Sequence, residues 1–137
     1  MKVLVDTSVW VDFLNGFSSP EAKTLRAIAI DVGVLATCGV VAAEVLQGLR
    51  SDGAVRRTKA YFQDLDWLSP RGPETYFSAA SLYRELRRRG ITVRSTIDCL
   101  IAQLAAEGDC ELLARDRDMA RIIESGIVDV TAVSLVE

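Results

Sequence analysis

The sequence predicts an α/β fold built on a mostly parallel sheet, and two observations predict it. Short apolar runs bounded by polar residues, Val3-Leu4-Val5 before Asp6 and Leu112-Leu113-Ala114 before Arg115-Asp116, read as buried strands. Between such runs lie longer stretches with apolar residues at helical spacing, and strands alternating with helices indicate βαβ units. A chain of 137 residues fits one domain, residues 1–137. That length buries a core without disulfide staples.

The elements follow in order. Val3-Leu4-Val5 is the first strand. Ser8 to Asn15 is helical, with Val9, Trp10, Phe13 and Leu14 on its apolar side and Gly16 as its stop. Ser19-Pro20 opens a second helix to about Ile30, the serine capping and the proline at the first helical position. Gly33 to Thr37 is a short strand. A helix from Val40 to about Arg50 breaks at Ser51-Asp52-Gly53, and another runs from Ala54 to Asp64. Asp66-Trp67-Leu68 is a third strand. Pro73 to Gly90 is a long helix whose last turn, Arg87-Arg88-Arg89, complements the helix dipole. After a loop, Thr96 to Glu107 is helical, Cys110 to Ala114 extended, and Arg117 to Ser125 helical with Gly126 as cap. Val130 to Val136 alternates as a last strand.

Composition removes several chemistries. There is no histidine, so Ser-His, Cys-His and His-His catalysis and imidazole zinc sites are excluded. The three cysteines, Cys38, Cys99 and Cys110, are scattered and form no CxxC pair. A disulfide framework is not expected, and a reducing cytosol is. Only three apolar residues separate Met1-Lys2 from Asp6, so no signal peptide is expected. Nor is a membrane span, which needs about 18 consecutive apolar residues. The net charge of −3 gives no global basic signature for nucleic acid. Acid–base work is left to carboxylates, Lys, Tyr or a bound metal.

Four carboxylates stand in apolar surroundings. Asp6 and Asp116 each follow a buried strand, and each reads equally as the N-cap of the next helix. In a parallel sheet, however, strand ends share one edge, where ligands bind. Glu44 interrupts Val40-Val41-Ala42-Ala43-Glu44-Val45-Leu46, where it reads as surface-seeking, Arg-paired or functional. Asp98 borders the stripe Ile97, Leu100, Ile101, Leu104, and Ser95-x-x-Asp98 is also a capping-box pattern. If these groups converge, their repulsion demands a counter-charge. An all-oxygen set selects Mg²⁺ or Mn²⁺, and acidic metal sites serve phosphodiester hydrolysis.

Asp6-Thr7-Ser8-Val9-Trp10, Glu44 within Val41 to Gly48, Asp98-Cys99-Leu100-Ile101-Ala102 and Arg115-Asp116-Arg117-Asp118 together resemble the PIN domain. More narrowly, they resemble the VapC toxins of bacterial type II toxin–antitoxin systems. The resemblance covers nearly the whole chain in motif order and spacing. It implies a three-layer α/β/α fold with a five-stranded parallel sheet. It implies a Mg²⁺- or Mn²⁺-dependent endoribonuclease cutting structured RNA such as tRNA or rRNA. Asp6, Glu44, Asp98 and Asp116 match the family's catalytic, metal-holding residues, with Asp118 a secondary ligand and Thr7 or Ser8 a supporting hydroxyl. Homodimerisation and silencing by a small VapB antitoxin are likewise implied. Met119 departs from the family, which commonly has an aromatic there, a difference that bears on packing.

Arg84, Arg87, Arg88, Arg89 and Arg94 form the densest basic group; Arg50, Arg56, Arg57 and Lys59 form a second, and Arg115, Arg117 and Arg121 a third. They read as groups that offset the acidic centre and hold phosphates, or as solvated helix faces and dipole complement. Trp10, Phe13, Leu14, Phe62 and Trp67 read as an antitoxin groove, a dimer face or core. Two other folds use the same sheet edge. A haloacid-dehalogenase-type phosphatase needs Asp-x-Asp, and position 8 is Ser. A receiver domain needs an acidic pair and an Asp after its central strand, and Trp67-Leu68-Ser69-Pro70 lacks it. A PIN-type nuclease outside a toxin–antitoxin setting and a non-catalytic PIN-like binding module remain as alternatives.

Overall fold

The computed structural model describes residues 1–136. Its sheet is parallel, with strands β1 (Val3–Val5), β2 (Leu35–Cys38), β3 (Asp66–Leu68) and β4 (Glu111–Leu113) in the order β3-β2-β1-β4. Val3 pairs with Leu35 on one side and Glu111 on the other, and Val5 pairs with Leu113. β1 and β2 are wholly buried, as continuous apolar strands between two helical layers must be. β3, at the edge, is partly exposed and alternates less cleanly.

Seven helices connect the strands: α1 (Thr7–Leu14), α2 (Pro20–Ile28), α3 (Gly39–Gln47), α4 (Asp52–Gln63), α5 (Pro73–Arg88), α6 (Thr96–Glu107) and α7 (Arg117–Ser125). α1 packs on α2 and α3, and α3 on α4; α5 packs on α6, and α6 on α7. The chain steps from β1 to β2 to β3 in one direction, then crosses back to β4 beyond β1. Right-handed crossovers in opposite directions put the two helix groups on opposite faces of the sheet, giving three layers. Trp10, Leu25 and Phe62 fill one interlayer space, and Leu86, Ile101, Met119 and Ile122 are among the buried residues of the other helix group. Met119 is thus a core residue, in keeping with a packing role.

The caps follow the sequence. Ser19 Oγ accepts from Ala22 N–H, and Pro20 occupies the first turn of α2. Gly126 ends α7 in the left-handed region, at φ +69°, where a side chain would be strained. Gly108 is required for a different reason. A Cβ there would lie 2.7 Å from Leu68 Cδ2, so its absence lets the end of α6 close on β3.

One expectation fails. Val130 to Val136 does not form a fifth strand. It makes one parallel bridge, between Leu112 and Ala132. Leu112 N–H donates to the Thr131 carbonyl (2.9 Å) and Val133 N–H to the Leu112 carbonyl (3.1 Å). The chain then leaves the sheet, and Val136 N–H donates to Thr24 Oγ1 on α2 (2.9 Å). Alternation signals a half-buried segment, which this is. The side-chain acceptor on α2 ends the ladder before a second bridge forms, and the sheet keeps four strands.

Candidate active site

The strand order reverses between β1 and β4, and such a switch point opens a crevice at the carboxyl ends of the two strands. Asp6 and Asp116 flank it. Asp6 N–H continues the ladder to the Leu113 carbonyl (2.8 Å), which locks the two loops side by side. Arg115 N–H then donates to Ser8 Oγ (3.4 Å), and Ser8 Oγ–H donates to Asp6 Oδ2 (3.0 Å).

Asp6 is buried, with 4% of its surface exposed, and its carboxylate does not cap α1 although the residue holds the N-cap position. Burial, aided by the negative charge of Asp116, pushes its carboxyl up against the opposing effect of the Ser8 hydrogen bond. Glu44 enters from α3. Its Oε1 accepts from Thr7 Oγ1–H (2.9 Å), so an apparently misplaced charge in an apolar helix is held at the start of α1. Both hydroxyls after Asp6 are therefore used, one on each carboxylate.

Asp98 sits in the first turn of α6. Ser95 caps that helix through Ile97 N–H (3.0 Å), and no hydrogen bond reaches the Asp98 carboxylate among the described residues. The capping-box pattern is present in the sequence, but its reciprocal bond is not made. Burial first, then repulsion from Asp116, Asp6, Asp118 and Glu44, pushes this carboxyl up to about 7. The structure does not bring all the acidic side chains named from the sequence equally close. The tightest group is Asp98, Asp116 and Asp118, with one oxygen from each within 4.8 Å of the others. Asp6 and Glu44 border it.

Asp116 does cap its helix. Oδ2 accepts from Met119 N–H (3.3 Å), while Oδ1 accepts from Arg94 Nη2 (3.0 Å). Asp118 is buried and accepts from the Arg94 backbone N–H (2.9 Å) and Nε (3.0 Å). Those bonds hold its carboxyl below the usual range, the opposite of Asp98. An all-oxygen donor set carrying excess negative charge suits a hard divalent cation.

Two features of the site escape a linear reading. Asp12, buried on α1, accepts from Arg115 Nη2 (3.2 Å) and Ser19 Oγ (3.0 Å) and forms an ion pair with Arg115 Nε (2.7 Å), joining α1, the start of α2 and the loop after β4. Its signal was a lone carboxylate inside Val9-Trp10-Val11-Asp12-Phe13. Arg94 pairs with Asp116 and Asp118; the sequence places it in a basic group expected to offset the acidic centre, but does not single it out from the other cations. Several other arginines are also engaged: Arg88 and Arg89 with Glu85 on their own helix, and Arg121 with the Thr92 carbonyl. Phosphate contact by these groups would compete with bonds already made.

A separate groove of about 410 Å³ lies on the α1–α4 side, lined by Trp10, Phe13, Leu14, Leu49, Arg57 and Tyr61 among others. Trp10 Nε1 and Tyr61 OH are buried there without a hydrogen-bond partner. Trp67 is not part of it; its indole N–H donates to the Phe62 carbonyl (2.9 Å).

Residues 3–124 match the family model described as PIN domain. A VapC ribonuclease of Mycobacterium bovis and ribonuclease VapC11 of Mycobacterium tuberculosis are each 33% identical over 117 residues, covering 85% of this chain and 87% of the relative. Among solved structures, VapBC2 from Rickettsia felis, bound to a DNA fragment from its promoter, aligns at 18% identity over 98% of both chains, TM-score 0.67. A toxin–antitoxin complex from Klebsiella pneumoniae aligns at 21% identity over 96% of this chain and 97% of that one, TM-score 0.68. VapC20 of Mycobacterium tuberculosis, a sarcin-ricin-loop-cleaving toxin, aligns at 17% identity over 94% and 98%, TM-score 0.58.

Proposed function

This chain belongs to the PIN-domain family, and from that premise we propose that it is a metal-dependent endoribonuclease, the toxin of a VapBC-type module. The observation that carries the reading is the group of Asp98, Asp116 and Asp118 oxygens within 4.8 Å of one another, with Asp6 and Glu44 near enough to help push Asp98 up. The named VapC ribonucleases at 33% identity support the activity. The substrate class is structured RNA such as tRNA or rRNA.

Asp6, Glu44, Asp98 and Asp116 would hold Mg²⁺ or Mn²⁺. When bound, the metal neutralises charge on the scissile phosphate and lowers the pKa of water. The residues do the rest. Ser8 and Thr7 fix the orientation of Asp6 and Glu44, as supporting hydrogen bonds do for metal ligands. A carboxylate of the set would also orient the attacking water. Attack in line with the leaving 3′ oxygen leaves a 5′-phosphate and a 3′-hydroxyl.

Neighbours of this fold solved as toxin–antitoxin complexes support a VapB-type partner. The groove lined by Trp10, Phe13, Leu14, Leu49 and Arg57 suits an amphipathic segment. The proposed form is a cytosolic homodimer. No helix of the described residues is long and apolar enough to cross a membrane. Exposed Tyr76 and Phe77 on α5 offer apolar surface to a second copy.

The test is incubation with total RNA in Mg²⁺, Mn²⁺ or EDTA, beside Asp6→Asn and Asp98→Asn. Discrete metal-requiring fragments ending in 5′-phosphate, lost by at least about 100-fold in both variants, are expected. Fragments with 2′,3′-cyclic phosphate, or binding without metal-dependent cleavage, would refute the mechanism.

A further inference from the structure

Arg94 belongs to the loop between α5 and α6, and its side chain is 79% exposed. Apolar packing therefore does not hold it in place. What holds it is the acidic cluster. Its backbone N–H and Nε both donate to Asp118 Oδ2, and Nη2 donates to Asp116 Oδ1. Arg121 Nη1 approaches Asp118 Oδ1 only to 3.9 Å. Asp116 thus has a donor on each oxygen, Met119 N–H on one and the guanidinium on the other. Oδ1 keeps a second lone pair, but a divalent cation there would share one oxygen with a guanidinium, and the repulsion between them weakens its binding.

We propose that Arg94 is a positioning residue that serves as the acidic cluster's own counter-cation, and that its guanidinium competes with a divalent cation for Asp116. The inference rests on reading the cluster as a metal site. Its geometry makes the exchange local. The backbone N–H of Arg94 keeps Asp118 in place whatever the side chain does. Only the Nη2–Asp116 contact has to open, and an exposed side chain swings away without disturbing the core. The cluster is neutralised in part by the protein's own cation until metal arrives, which keeps like charges together without collapse of the site.

The experiment is calorimetric titration of the metal-free full chain with Mn²⁺ at low and high salt, for wild type, Arg94→Ala and Arg94→Lys. Loss of an exposed competing charge should tighten Mn²⁺ binding by roughly two- to fivefold in Arg94→Ala. Arg94→Lys, which keeps the charge, should return towards wild type, and the difference should shrink as salt screens it. Equal or weaker binding by a folded Arg94→Ala would overturn the proposal, since a residue that only stiffens the loop gives that result. No Mn²⁺ binding by any of the three would overturn the metal-site reading as well. A second measurement uses the wild type alone. The Arg94 side-chain N–H signals, assigned by their loss in Arg94→Lys, should shift and exchange faster with water as Mg²⁺ is added. Signals that stay unchanged at saturating Mg²⁺ would overturn it independently.

Discussion

Asp6 and Asp116 occupy the same formal position, the N-cap of the helix after a buried strand, and use their carboxylates differently. Asp116 caps α7 through Met119 N–H; Asp6 makes no cap bond and takes the Ser8 hydroxyl instead. The buried Asp6 carboxylate is oriented by the Ser8 hydroxyl together with the Thr7 and Ser8 amides, and not by the cap bond that Asp116 makes. Asp98 is set apart by its titration. Its carboxyl moves from the ordinary 3.8 to about 7 in the folded protein. Between those values the folded form binds a proton that the unfolded chain has lost, so stability falls as pH rises through that window and is flat above it. In EDTA, the wild-type melting temperature should therefore drop between pH 5 and pH 7.5 more steeply than that of Asp98→Asn. Some slope should persist in the variant, because Asp6 is shifted in the same direction. Parallel melting curves across that range would show that Asp98 is not the source.

Single elements reach the site through ties between loops. Asp12 on α1 binds Arg115, just after β4, and Ser19, the cap of α2. This pair sets the distance between the β1 and β4 loops, which carry Asp6 and Asp116. Asp12 is buried while Arg115 is half exposed, so water screens the pair in part. Asp12→Ala should cost about 1–3 kcal/mol in urea unfolding, mostly from the unmet Ser19 and Arg115 donors. A change below about 0.5 kcal/mol would show that solvent satisfies those donors. The α5–α6 pair is tied in a comparable way, by buried Thr75 donating to Glu107 Oε1 (2.7 Å) while accepting from Arg71 N–H.

For the whole molecule, the order β3-β2-β1-β4 places the two central strands where both helical layers cover them. Amides of Val3–Val5 and Leu35–Cys38 should exchange with solvent only on global unfolding. Leu112 and Val133, whose amide bonds form the single bridge to the C-terminal segment, should exchange faster, through local opening of that edge. Equal protection across all of them would mean that the C-terminal segment unfolds with the sheet. Asp6 follows the central strand β1, whereas Asp116 and Asp118 follow the edge strand β4 to which the C-terminal segment bridges, so fraying of that segment bears on one side of the site only.

Much of this protein is determined by its sequence alone. Apolar runs ending in Asp6 and Asp116, a helical carboxylate at Glu44 and another at Asp98, and the absence of histidine set the fold class, four strands and the acidic chemistry. These are local signals: strand length, helical period and caps depend on neighbouring residues. Pairing does not. The alternation of Val130–Val136 was legible, but the acceptor on Thr24 that draws the chain off the sheet lies 112 residues away. The capping box at Ser95 was legible, and only its surroundings show that Asp98 leaves the reciprocal bond unmade. Which of many arginines meets the acidic cluster depends on how two loops meet in space, and tertiary structure alone chose Arg94. Long-range electrostatics and hydrogen bonding are decided by packing, because residues distant in sequence become partners only when the fold brings their donors and acceptors within reach.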